Sequence, residues 1–73
     1  MCCIADLEVG QEGIIKEQNI EGTQGRRLRE MGLIEGTSVK LQRRAPTGYP
    51  IMISVFGSSL TLDEKQAHLI EVQ

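Results

Sequence analysis

The chain has 73 residues, of which 40% are apolar and 25% charged, and a formal net charge of −2 at pH 7. This length makes a single domain, 1–73, with one small core that must use nearly every aliphatic side chain, so little is left to line a deep substrate pocket. The charge excludes a global attraction to nucleic acid or anionic lipid, and no apolar run approaches the roughly 20 residues of a membrane span.

Residues 1–5 are expected to form a flexible terminus, and Met1 to Gly10 lacks the basic and apolar stretches of a signal peptide. Cys2 and Cys3 are the only cysteines, and a disulfide between such neighbours would be badly strained. A small domain without a disulfide framework points to a reducing compartment, and the chain reads as cytoplasmic. Leu7 and Val9 lead through a glycine-containing turn into a first strand over 13–18.

Residues 23–31 lack alternation and instead set Gln24, Leu28 and Met31 on one side of a short helix. Gly25 weakens that helix, so packing by Leu28 and Met31 is expected to hold it. Its end is well specified: with Gly32 in the left-handed conformation, Leu28 and Leu33 take the two positions that meet in a Schellman motif. Arg27 and Arg29 complement the negative end of the helix dipole, and Glu30 opposes it. Gly36 then turns the chain into the next strand.

The strand over 37–44 alternates, with Thr37, Val39, Leu41 and Arg43 on one face and Ser38, Lys40, Gln42 and Arg44 on the other. Residues 45–50 hold two prolines and a glycine and form a hairpin loop, after which 51–56 returns with Ile51, Ile53 and Val55 inward. Gly57 and Ser58 signal a two-residue turn into a strand over 59–62. Asp63 and Gln66 have capping-box spacing for one helical turn, and Ile70 and Val72 close the chain as a strand. The expected fold is mainly β, a small barrel of about five strands with one short helix between the first two strands and a helical turn before the last.

Arg27-Leu28, Met31-Gly32-Leu33 and Gly36 together resemble the signature of the FeoA family, ferrous iron transport protein A. The resemblance extends to Leu7, Gly10 and Gly13, to the loop residues Ala45, Pro46, Gly48 and Pro50, and to Leu60, Leu62, Ala67 and Ile70, so it spans nearly the whole chain. It implies an SH3-like barrel related to the C-terminal domain of DtxR-like repressors. It further implies an accessory protein that modulates iron uptake by binding the membrane transporter FeoB, through that protein's guanine-nucleotide-binding domain. The alternatives are an interaction module in metal-dependent regulation and a ferrous iron carrier.

No phosphate-cradling G-x-x-x-x-G-K-[ST] sequence is present, so any guanine nucleotide belongs to the partner. The single histidine, His68, has no serine, cysteine or carboxylate at a spacing that argues for acid–base chemistry, and no enzymatic activity is expected. Cys2, Cys3 and His68 lack the paired spacing of transition-metal ligands, so neither a metal site nor a cofactor is expected. The five arginines fall into two groups, Arg26, Arg27 and Arg29 on the helix and Arg43 and Arg44 at a strand end. Each group is either a solvated face or a docking patch for an acidic surface. With Tyr49 and Phe56 as the only aromatics, neither a proline-rich peptide nor a nucleic acid finds a stacking platform. The expected partner-binding residues are Arg27, Glu30, Met31 and Leu33, with the 45–50 loop as a second edge and with exposed sheet edges that permit weak self-association.

Overall fold

Alternation in the sequence becomes alternation in burial in the computed structural model, which describes residues 2–73. The strands are β1 (Cys2–Cys3), β2 (Glu12–Gln18), β3 (Ser38–Arg44), β4 (Ile51–Val55), β5 (Ser58–Leu62) and β6 (Ile70–Val72), with helices α1 (Gly22–Glu30) and α2 (Glu64–His68). They form one antiparallel sheet in the order β1-β6-β2-β3-β4-β5. The first half of β2 pairs with β3 and its second half with β6, and a register shift between Ile15 and Glu17 bends the strand from one partner to the other. The bend wraps the sheet around a core of Ile15, Leu33, Val39, Leu41, Ile51, Ile53, Val55, Leu62 and Ile70, all within 1% of full burial.

The amino terminus departs from expectation. Cys2 and Cys3 pair with Val72 and Glu71 of β6, and a single 3-10 turn follows at Ile4–Asp6. Ile4 and Leu7 are buried there, so this segment supplies core material that a chain of this size cannot leave in solvent. The expected loose terminus over 1–5 is thus corrected for residues 2–5, which are paired or packed; Met1 lies outside the described residues.

A second register shift, between Leu41 and Arg43, reverses the expected faces at the end of β3. Gln42 is the extra residue of this bulge, so Arg43 turns outward and Arg44 turns toward the rim of the core. The β4–β5 turn also moves by one residue, because Val55 pairs with Ser58 and leaves Phe56 and Gly57 at its centre. Both have positive φ, 50° and 79°, as a type I′ turn requires. The capping box before α2 forms as expected: the Gln66 amide donates to Asp63 Oδ1 (2.8 Å) and the Asp63 amide to Gln66 Oε1 (3.1 Å).

What holds α1 differs from expectation too. Leu28 is half-buried, but Met31 is 45% exposed, and the one fully buried residue of the helix is Gly25. A side chain at Gly25 would collide with the carbonyl of Ile20, whose carbon would lie 2.6 Å from its Cβ. The glycine is what lets helix and incoming chain touch backbone to backbone. Gly25→Ala is therefore expected to destabilise the domain by about 1–3 kcal/mol through overpacking, opposite in sign to the roughly 0.5–1 kcal/mol gain that helix propensity alone predicts. Chemical denaturation of the two proteins decides between the signs.

Candidate functional site

The helix exit is built as the sequence predicts. Gly32 has φ 105°, the Leu33 amide donates to the Leu28 carbonyl (3.0 Å) and the Gly32 amide to the Arg29 carbonyl (3.0 Å). This pair of bonds is the Schellman motif, and it drives Leu33 into the core while turning Met31 outward. Behind the corner, the Gln18 side chain joins three segments: its Oε1 accepts from the Ile20 amide (2.8 Å), and its Nε2 donates to the carbonyls of Gly25 (3.2 Å) and Leu33 (3.4 Å). Arg29 Nη1 donates to the Ile20 carbonyl (3.4 Å), closing the outside of the same contact.

Of the expected partner-binding residues, Leu33 is fully buried and belongs to the scaffold, which removes it from any contact surface. Arg27, Glu30 and Met31 are exposed. Arg27 stands one helical turn before both of the others, so the three share one side of α1. Neither the Arg27 nor the Glu30 side chain makes a hydrogen bond or ion pair among the described residues.

The sequence assigns no contact role to Phe56, yet the structure sets it beside this group. A Cβ built on Gly32 would lie 2.6 Å from Cδ2 and Cε2 of Phe56, so the ring rests on the helix exit where only glycine leaves room. The ring is nevertheless 79% exposed. The signal for it in the sequence is Phe56-Gly57 itself, since a type I′ turn favours glycine second, whereas Gly57-Ser58 fits the alternative turn with glycine first.

The other basic group has a different fate. Arg44 Nη2 donates to the carbonyls of Ala5 (2.9 Å) and Leu7 (3.1 Å), Nη1 donates to that of Gly48 (3.1 Å), and the guanidinium sits 5.5 Å from the Tyr49 ring centre. It ties the 45–50 loop to the amino-terminal segment. That loop and Phe56 lie at opposite ends of β4, about 20 Å apart at strand rise.

Cys2 is exposed, whereas Cys3 is half-buried with its Sγ 3.5 Å from Asp6 Oδ2. Burial first of all, with the Asp6 carboxylate adding to it, raises the Cys3 thiol above its ordinary value of 9.0; the Cys3 amide, which donates to Asp6, lowers the Asp6 carboxyl. A protonated thiol is a poor metal ligand. His68 lies beside Tyr49, with ring centres 6.3 Å apart. Among the described residues, no three of histidine, cysteine, aspartate or glutamate converge to hold a metal ion, and no helix is long and apolar enough to cross a membrane.

The sequence profile of the FeoA domain matches residues 2–73. The chain belongs to the FeoA family. It superimposes on the FeoA protein of Chlorobium tepidum with a TM-score of 0.91 at 31% identity, covering 97% of this chain and 68% of that one. Iron(II) transport protein A of Clostridium thermocellum gives 0.90 at 29% identity, with 99% of this chain covered but 44% of that one. The fold is shared with the FeoA of Stenotrophomonas maltophilia, solved with zinc and described as an SH3-domain protein, at a TM-score of 0.84 and 22% identity, covering 100% of this chain and 91% of that one. It is shared as well with a manganese-dependent transcriptional repressor, at 0.81 and 14% identity, where it covers 97% of this chain and 40% of that one. The expected SH3-like architecture is found, and a repressor shares the fold. No curated protein matches the chain significantly.

The two arginines at the end of β3 give a direct contrast. Arg44→Ala strips a charged donor from three carbonyls and is expected to cost roughly 1.5–3 kcal/mol of stability, whereas Arg43→Ala stays within about 0.5 kcal/mol. Denaturant midpoints of the two variants check this.

Proposed function

We propose that this member of the FeoA family is a cytoplasmic accessory protein of ferrous iron transport that docks on a FeoB-like transporter. The contact is with the transporter's guanine-nucleotide-binding domain, and it modulates uptake without chemistry of its own. The observation that carries this reading is the family match over residues 2–73, which supports a role in ferrous iron transport. Two features of the fold support a role by contact. The core is filled by aliphatic side chains, and the exposed side of α1 presents Arg27, Glu30 and Met31 with neither charge satisfied within the described residues. An unpaired arginine beside an exposed methionine suits a protein interface, where arginine and methionine are enriched relative to the rest of the surface.

The transporter's soluble nucleotide-binding domain and the full-length transporter, each with and without guanine nucleotide, are titrated with the purified chain. Binding is expected in at least one state, and Arg27→Ala and Glu30→Ala are each expected to weaken it about fivefold, near the threshold at which interface truncations count. The thermal midpoints of both variants should stay close to that of the unmodified chain, because neither residue holds the fold together. Absence of binding in every state contradicts the proposal.

A further inference from the structure

Phe56 is placed where neither folding nor local backbone preference wants it. A bulky aromatic at φ 50° carries a steric cost that asparagine or glycine avoids, and its ring, 79% exposed, recovers little by burial. A turn centred on Gly57 and Ser58 would keep the same inward faces on β4 and β5 without that cost. One edge of the ring lies close over Gly32, which the Schellman bonds fix. An exposed aromatic with one edge already against backbone loses less freedom on binding than one free on all sides.

Its surroundings define the partner. Met31, 45% exposed, precedes Gly32, and Arg27 stands one turn further back. Three arginines against one glutamate give α1 two net positive charges in a chain of net −2, so the remaining residues carry four net negative charges. An acidic segment is drawn to α1 and repelled by the rest of the surface, whereas a second copy of this chain or an anionic bilayer meets mostly like charge.

We infer that Phe56 is the apolar anchor of the docking surface and that the partner offers it an acidic segment carrying an apolar side chain. This inference rests on the docking reading above. Phe56 and Met31 grip the apolar side chain, and Arg27 pairs with a neighbouring carboxylate.

The test titrates full-length transporter, held in nanodiscs of neutral phosphatidylcholine, with the unmodified chain and with Phe56→Asn and Arg27→Glu. Asparagine suits the left-handed turn, so the thermal midpoint of Phe56→Asn should hold or rise while affinity falls at least about tenfold, as expected for an anchor residue. Arg27→Glu should lose a similar factor, and binding of the unmodified chain should weaken with added salt. If the unmodified chain does not bind, the docking reading falls and this inference with it. If it binds and Phe56→Asn binds as well, only the inference is overturned. Phe56-dependent self-association, or Phe56-dependent binding to empty anionic nanodiscs, overturns it in favour of a second copy or a lipid surface.

Discussion

Backbone meets backbone where Gly25 of α1 rests on the carbonyl of Ile20, and the position of the helix follows from that contact. Gln18 enforces it from inside, with one amide group reaching the chain before the helix, the helix itself and the chain after it. A short helix with a glycine in its middle is marginal by propensity. Here the same glycine permits the close approach that fixes the helix, so a local weakness is a tertiary requirement. The Schellman exit follows, because Leu33 reaches the core only if the helix above it lies at this distance.

With the corner fixed, its outer surface is preformed. Arg27, Glu30 and Met31 occupy the exposed side of α1, and Phe56 comes to the helix exit from the far hairpin. The two elements are distant in sequence but share Gly32 as a contact point. The core is filled by aliphatic side chains, and an exposed patch with one aromatic, one methionine and an arginine whose side chain is unpaired among the described residues is the kind of site such a surface can offer. Of the second arginine group, Arg43 faces outward and Arg44 acts inward, fastening the amino-terminal segment and the 45–50 loop to each other.

Most of the architecture was legible because it rests on periodicity and caps. Alternation located β3 and β4, Asp63 with Gln66 located α2, and the spacing of Leu28, Gly32 and Leu33 located the helix exit. The misreadings share a physical origin, since each depends on a choice that local sequence leaves degenerate. A bulge after Leu41 exchanges the faces of Arg43 and Arg44 without any special residue to announce it. Two turn registers keep the same inward faces on β4 and β5, and the structure takes the one that strains Phe56. Cys2–Cys3 becomes a strand only because β6 offers an edge, a partner almost the whole chain away. Leu33 and Met31 flank a left-handed glycine, which sends the first into the core and leaves the second exposed.

On the proposed docking, the contact falls on the corner formed by the α1 exit and the β4–β5 turn. Amide hydrogen exchange of the full chain, free and with full-length transporter, tests it most directly. The amides of Gly32 and Leu33, hydrogen-bonded in the Schellman motif, should already be protected in the free chain, and added protection should fall on residues 27–31 and 56–57. Added protection confined to the 45–50 loop, or a free chain in which the Gly32 and Leu33 amides exchange at unprotected rates, would contradict the account.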